Sequence, residues 1–205
     1  MMEYKSKLLN NAVQQMATLP GIGQKTALRL VLYLLNQSSD DVSRFSDAFK
    51  LLKENIDFCS SCYNITDSTI CQICSNIKRN KEIICVVQDI RDVMAIESTG
   101  QYFGLYHVLG GIISPMDGIG PEDLRIKELI ERVKTENIKE LIFGLSATME
   151  GDTTNFYIYR KLQDQDIKLS LISRGIGVGN QLEYIDELTL GSSIVNRADY
   201  EINFS

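Results

Sequence analysis

Four cysteines lie within sixteen residues of the sequence, at Cys59, Cys62, Cys71 and Cys74. They form two Cys-x2-Cys pairs, and each pair places two sulfur atoms on one side of a tight turn. Two such turns facing each other make a tetrahedral thiolate cage that suits Zn²⁺, with an iron–sulfur cluster or a pair of disulfides as the alternative. Because four thiolates leave no open coordination position, we predict one structural Zn²⁺ per chain without a catalytic role.

A second group of candidate residues surrounds the short turn Gly21-Ile22-Gly23, which joins two helical patterns. Glycine at Gly21 and Gly23 leaves the backbone N–H groups accessible to an anion, and the start of the following helix adds its dipole. Lys25 and Arg29 are four residues apart and therefore share one face of that helix. This pattern predicts contact with the nucleic-acid backbone, and an ordinary helical hairpin is the alternative.

The charge distribution favours the same end of the chain for phosphate binding. The formal net charge is −6, yet residues 1–81 carry ten basic and seven acidic side chains, whereas residues 82–205 carry eleven and twenty. No acidic residue occurs between Tyr4 and Ser39. One end of the molecule can therefore contact polyanionic nucleic acid, and the remainder repels it.

Composition is that of a soluble globular protein, with 44% apolar and 23% charged residues among 205. No run approaches the roughly 18 apolar residues of a membrane span, and the first residues do not resemble a signal peptide. We therefore expect a cytoplasmic protein without membrane association. In that reducing compartment, closely spaced cysteines bind metal more often than they form disulfides.

Helical periodicity predicts three helices before residue 56, the second over residues 24–36 and the third after an acidic linker at residues 38–41. The second helix is apolar nearly all round, so we expect it to be buried on several sides. After Lys81, helical patterns alternate with short apolar runs, which predicts a mostly parallel sheet flanked by helices. The predicted strands cover residues 83–87, 106–109, 140–143 and 168–172, and the predicted helices cover residues 93–98, 124–135 and 155–162.

Longer motifs connect these features to a known family. The glycine hairpin, the four cysteines, the strand ICVV, and the stretches HVLGGIISPMDGIGPEDL, MEGD and GIGVGNQLEY occur in this order. The order resembles that of the bacterial RecR family of recombination-repair proteins, over nearly the whole chain. The resemblance implies a helix-hairpin-helix region at residues 1–55, a four-cysteine zinc finger at 56–80, an α/β Toprim domain at 81–177 and a C-terminal oligomerisation segment at 178–205.

The resemblance also implies a function. RecR proteins are DNA-binding mediators that act with RecO, and also with RecF, to load RecA recombinase on single-stranded DNA coated by SSB at gaps. They assemble as a dimer or a tetrameric ring. The resemblance places Lys25 and Arg29 at DNA-contacting positions and the four cysteines at the zinc ligands. Glu150 and Asp152 fall in the Toprim acidic motif that contacts RecO.

An enzymatic function is the alternative, because related Toprim domains belong to Mg²⁺-dependent nucleases and primases. Catalytic Toprim domains place a glutamate where this chain has Gln88, whose amide has no charge to hold Mg²⁺. Glu150 and Asp152 remain, and we expect them just beyond the carboxyl end of a parallel strand. Gln88 therefore argues against Mg²⁺ in this domain, and we expect a protein that is not an enzyme.

Three other features receive structural interpretations. His107 lies between apolar strand residues without a second histidine, so we expect a packed or hydrogen-bonded side chain. Cys85 lies inside an apolar strand and is expected to act as a small buried side chain. The stretch at residues 175–179 (GIGVG) lacks the remaining residues of a nucleotide-binding loop and is expected to turn at a strand end.

Overall fold

The computed structural model describes residues 6–197, which fall into two compact units, one ending at Ile56 and the other beginning at Asp57. Within residues 6–197, no helix has both the length and the apolarity to cross a bilayer. The helices of the first unit are α1 Lys7–Met16, α2 Gln24–Leu35 and α3 Ser39–Asn55. The helices and strands of the second are β1 Asp57–Phe58, β2 Ile65–Thr66, α4 Gln72–Ser75, β3 Ile83–Val87, α5 Ile90–Ser98, β4 Leu105–Val108, α6 Ile126–Thr135, β5 Glu140–Phe143, α7 Met149–Leu162, β6 Lys168–Leu171 and α8 Glu187–Val195.

The first unit is a helical hairpin followed by a longer helix. The hydroxyl of Ser6 caps α1 by accepting a hydrogen bond from the Leu9 amide. Helices α1 and α2 pack against each other, and Val13 and Ala27 are completely buried in this unit. The predicted hairpin of α1 and α2 is therefore confirmed.

Helix α2 is less buried than its apolar sequence predicts. Within the described unit, Ala27 is the one buried residue of α2, while Tyr33 is 64% and Leu35 73% exposed. In α1, Leu8 is 85% exposed, and a largely apolar groove of about 930 Å³ runs along α1, α2 and the start of α3. The expectation of burial on several sides is wrong for this unit, because three short helices have too little surface to cover every apolar face.

The acidic segment at residues 38–41 is part of a helix, so its prediction as a linker is wrong. Ser38 is the N-cap of α3, and its hydroxyl accepts a hydrogen bond from the Asp41 amide at 3.2 Å. Asp40 and Asp41 lie in the first turn, where negative charge interacts favourably with the helix dipole. Polar residues that suggested a connection therefore stabilise the start of α3.

The second unit contains a parallel sheet with the strand order β4-β3-β5-β6. Alternate residues of β3 face opposite sides of the sheet. Ile84 and Val86 join a core cluster with residues of α6 and α7, whereas Cys85 and Val87 join a second cluster with Val93 of α5. The continuous apolar run follows from this burial on both faces. The predicted mostly parallel sheet flanked by helices is confirmed.

Cys85 behaves as the sequence predicts. Its side chain is 2% exposed and packs with the second core cluster. Burial, with a smaller contribution from the charge of Asp92, raises the pKa of the Cys85 thiol to about 12. A thiol in this environment stays protonated and is chemically inert at neutral pH.

The last described part of the second unit follows β6. Residues 175–179 lie in a loop in which Gly179 has a φ of +89°, so the predicted turn at a strand end is confirmed. A short 3-10 turn at Leu182–Tyr184 and helix α8 come next. The predicted oligomerisation segment at residues 178–205 extends beyond the described residues, which end at Arg197.

Candidate metal centre and nucleic-acid interface

The four cysteines that the sequence predicts to bind a metal lie close together in the structure. Cys59 and Cys62 lie between β1 and β2, Cys71 is the N-cap of α4, and Cys74 lies within α4. Their four Sγ atoms all lie within 4.8 Å of one another, and those of Cys62 and Cys71 are 3.5 Å apart. A tetrahedral site with Zn–S bonds near 2.3 Å places its sulfur atoms about 3.8 Å apart. The cluster therefore has the dimensions that Zn²⁺ requires.

Backbone hydrogen bonds also favour thiolates at two of the four sulfur atoms. The Cys71 amide donates to Cys59 Sγ at 3.3 Å, and the Cys74 amide donates to Cys71 Sγ at 3.5 Å. Hydrogen bonds with the neighbouring thiols and burial raise the pKa of Cys62, whereas hydrogen bonds from Cys62 and Cys74 lower the pKa of Cys71. Four adjacent thiols cannot all ionise without a compensating cation. A divalent metal supplies that cation, which favours a metal site over disulfides.

The cysteine-bearing segment is joined to the sheet through β4. The Val108 amide donates to the carbonyl of Cys62 at 2.8 Å. Tyr63, which has a φ of 61°, places its ring edge-on to His107 at a centroid distance of 5.4 Å. The guanidinium of Arg125 lies 5.0 Å from the Tyr63 ring. The residue next to Cys62 therefore packs against His107 and Arg125 of the α/β part of the unit.

His107 lies inside this contact as a neutral side chain. It is completely buried, and its Nε2 is hydrogen-bonded to the carbonyl oxygen of Arg125 at 2.8 Å. Burial lowers the pKa of His107 to about 4, so the imidazole is uncharged at neutral pH. The interpretation of His107 as a packed structural residue is confirmed.

The glycine turn of the first unit has an open backbone. Gly21 has a φ of +80°, which strongly favours glycine, and space is empty within 4 Å of the position that a Cβ would occupy at Gly21 or Gly23. Gly23 is the N-cap of α2 and offers no side chain to the first amides, and the first turn of α2 has no acidic residue. Lys25 and Arg29 are exposed. The turn thus combines free backbone donors with two cations.

Glu150 and Asp152 follow β5, as expected, but they already lie inside a helix. Helix α7 begins at Met149, earlier than the predicted residue 155, so both carboxylates are in its first turn. The cause is an N-cap at Thr148, whose hydroxyl accepts a hydrogen bond from the Gly151 amide at 3.1 Å. The predicted position of the two carboxylates beyond a strand is therefore kept, whereas the predicted start of α7 is wrong by six residues.

The two carboxylates also have different neighbours. Asp152 forms a bidentate ion pair with Arg174, in which Nη1 donates to Oδ2 at 3.0 Å and Nη2 donates to Oδ1 at 2.5 Å. The hydrogen bond from Arg174 lowers the pKa of Asp152. Glu150 lines a cavity of about 550 Å³ together with Gln88 and Asp89. Within residues 6–197, the cysteines form the one group of His, Cys, Asp and Glu residues with the spacing of a metal site. Asp89, the carboxylate nearest to Gln88 in the chain, pairs with Arg91, and Asp152 pairs with Arg174, so the carboxylates around Glu150 are not grouped for Mg²⁺.

Sequence reasoning missed one residue beside the cysteines. Arg132 lies on the buried face of α6, three residues after Leu129 and next to Val133, and is 6% exposed. Its guanidinium reaches the carbonyl oxygens of Ser61 and Tyr106. The signal in the sequence was a charged residue at the apolar positions of an amphipathic helix.

Comparison with known families covers each part of the chain. Residues 9–52 match the helix-hairpin-helix of RecR, and residues 56–76 match the four-cysteine zinc-finger domain of RecR. Residues 82–173 match the Toprim domain, and residues 175–198 match the C-terminal region of RecR. The matched zinc-finger region contains all four clustered cysteines, which supports zinc as the metal.

Curated relatives match over nearly their full length. Recombination protein RecR of Flavobacterium psychrophilum is 58% identical over 203 residues, covering 99% of this chain and 98% of that protein. The RecR proteins of Phocaeicola vulgatus and Porphyromonas gingivalis are 60% and 56% identical, covering 95% and 97% of this chain and 95% and 96% of their own lengths. The sequence resemblance is thereby confirmed, and the chain belongs to the RecR family of recombination proteins.

Proposed function

We propose that this protein binds the DNA backbone through its glycine hairpin, independently of base sequence, as a mediator of recombinational repair. The observation that carries the proposal is the uncapped start of α2, where open backbone amides lie beside Lys25 and Arg29. Amides and cations of this kind contact phosphate oxygens, which position a protein on nucleic acid without reading its sequence. The acidic second part of the chain disfavours DNA contact elsewhere.

Several copies of the chain would act together. A single hairpin offers two cations, so its affinity for DNA is low. A homo-oligomer, either a dimer or a tetrameric ring, would place several hairpins on one strand and increase the overall affinity through avidity. The exposed side chains of Leu8 and Leu35 beside the apolar groove of the first unit support such assembly.

The proposed role is to load RecA on single-stranded DNA coated by SSB at gaps, together with RecO and with RecF as a further partner. Glu150 and Asp152 would contact RecO from the first turn of α7, where the side chain of Asp152 is 56% exposed. No bond-making or bond-breaking step is assigned to this chain. Gln88, in place of a carboxylate, and a closed four-thiolate site both support a non-catalytic role.

The proposed metal is one structural Zn²⁺ per chain, held by Cys59, Cys62, Cys71 and Cys74. The segment that contains them has only two short strands and one helical turn, so it has little core of its own. Zinc binding would contribute directly to the folding free energy of this segment.

Replacement of both hairpin cations tests the DNA-binding proposal. We expect Lys25→Gln/Arg29→Gln to weaken binding to single-stranded DNA and to reduce the slope of log affinity against log salt. Each lost phosphate contact lowers that slope by about 0.7 for single strands, so two contacts correspond to about 1.4 per hairpin. Fluorescence anisotropy with a labelled oligonucleotide across a salt series measures both quantities.

A matched control separates this local effect from net charge. Lys50→Gln/Lys53→Gln makes the same change in charge on exposed positions of α3 in the same unit. We expect this control to keep most of the affinity and slope, and both double variants to keep the zinc content of the wild type. Unchanged DNA binding by the hairpin variant, or equal losses in the two variants, would contradict the proposal.

A further inference from the structure

Arg132 is a buried cation with incomplete local compensation. Its side chain is 5% exposed, and its Nε pairs with Glu136, whose own side chain is 44% exposed. Nη1 donates to the carbonyl oxygens of Tyr106 at 2.8 Å and Ser61 at 3.3 Å. Nη2 is buried and has no hydrogen-bond partner within residues 6–197. The carboxylate of Glu136 compensates the charge in part, but the buried Nη2 lacks an acceptor, which costs free energy unless other negative charge is nearby.

Arg79 shows what full compensation looks like in the same unit. Its side chain is 12% exposed, and both terminal nitrogens pair with the carboxylate of Glu97. Its Nη1 also donates to the carbonyl oxygens of Tyr102 and Gly104 at 3.2 Å each. Arg79 is therefore satisfied by the protein alone, which Arg132 is not.

Additional negative charge is available at the cysteine cluster. Four thiolates around one Zn²⁺ carry a formal charge of −2. Ser61, the acceptor for Nη1, lies between Cys59 and Cys62 in the chain. Arg132, Ser61 and Cys74 line the same cavity of about 490 Å³. The guanidinium thus contacts the turn that carries two of the four sulfur atoms and shares a cavity with Cys74.

We propose that Arg132 is a positioning residue for the zinc centre, which holds the Cys59–Cys62 turn by its carbonyl and balances the charge of the metal-bound thiolates. This inference rests on the proposal that the four cysteines bind zinc. The hydrogen bonds of Nη1 join the turn to β4 through Tyr106, so metal binding and attachment of the cysteine segment to the sheet support each other.

Zinc affinity in variants of Arg132 tests the inference. The readouts are competition with a chromophoric chelator and the sulfur-to-metal charge-transfer absorption of the Co²⁺-substituted protein. We expect Arg132→Gln to lower zinc affinity by roughly 10–100-fold, the range seen when residues that support metal ligands are replaced. Arg132→Lys keeps the charge but loses the planar fork, so we expect a smaller loss, about three- to tenfold.

Arg79→Gln is the matched control, because it removes a buried arginine that does not contact the cysteine turn. We expect it to lower thermal stability while zinc affinity stays within about twofold of the wild type, since no metal-supporting contact is lost. Wild-type affinity in both Arg132 variants, or an equal loss in Arg79→Gln, would overturn the inference. If Arg132→Gln does not fold, Arg132→Lys decides alone by the same criterion. Wild-type protein without bound zinc would instead refute the proposed metal site.

Discussion

Gly151 provides the sharpest test of how the start of α7 is positioned. A Cβ at this residue would lie 2.0 Å from the carbonyl oxygen of Ser146 and 3.2 Å from its Oγ. The close neighbour is backbone, which cannot rotate away as a flexible side chain would. We therefore expect Gly151→Ala to push the turn before α7 away from the helix, and with it the first turn that carries Glu150 and Asp152.

Two opposing contributions set the size of the effect. Alanine is favoured over glycine by up to about 1 kcal/mol inside a helix, and by less in a first turn. Overfilling a packed site costs about 1–3 kcal/mol, and an overlap with backbone belongs at the upper end of this range. The net destabilisation is therefore about 2 kcal/mol. For a unit of this size, that corresponds to a decrease in Tm of about 4–8 °C.

Thermal unfolding of the zinc-loaded protein, followed by circular dichroism, measures this change. Gly191→Ala is the control, since Gly191 lies within α8 and a Cβ there would meet no atom within 4 Å. We expect the control to leave Tm unchanged or to raise it. A Tm for Gly151→Ala equal to or above that of the wild type would refute the reasoning, because the contact with Ser146 would then be able to relax without cost.

Two further outcomes follow from the cysteines and from His107. We expect an aromatic disulfide reagent to modify no thiol in the zinc-loaded native protein and four thiols after a chelator has removed the metal. The fifth thiol, Cys85, should react only after denaturation, because it is buried and its pKa is raised. Reaction of Cys85 before denaturation would contradict this. The pKa of His107 is about 4 in the folded protein, below its ordinary value of 6.5. Between pH 4 and pH 6.5 this histidine is therefore protonated in the unfolded chain but neutral in the folded protein. We therefore expect the contribution of His107 to the free energy of unfolding to be lost as the pH falls from 6.5 to 4. Above pH 6.5 this contribution should not change. Urea unfolding of His107→Gln should show a flatter pH dependence than the wild type over that interval, and identical profiles would exclude the assignment.

The sheet was predictable from sequence because its determinants are local. Strand β3 is covered on both faces, so every one of its residues is apolar, and its predicted limits agree with the structure. Strand β4 differs by one residue from its prediction, Leu105–Val108 against 106–109. The cysteine cluster was predictable for the same reason, since ligand spacing along the chain fixes which sulfur atoms can meet.

The parts that escaped prediction depend on contacts distant in sequence or on surfaces beyond the unit. The burial of Arg132 follows from carbonyl groups on β4 and on the cysteine turn, far from α6 along the chain. The pairing of Asp152 with Arg174 likewise joins two separate elements. For α2, the apolar pattern was identified correctly, but a pattern does not say which surface covers it.

The division of the chain at Ile56 also has a consequence during translation. The first unit is contiguous and helical, and it ends at Ile56, so the ribosome completes it before any strand of the parallel sheet is made. The last strand, β6, ends at Leu171, about 115 residues later, and at about 5–20 residues per second that interval lasts roughly 6–23 s. Strand β3 is meanwhile released before its neighbour β5, and β6 emerges last. One edge of β3 therefore stays unpaired on the nascent chain until β5 has been synthesised, and an unpaired strand edge is prone to aggregation.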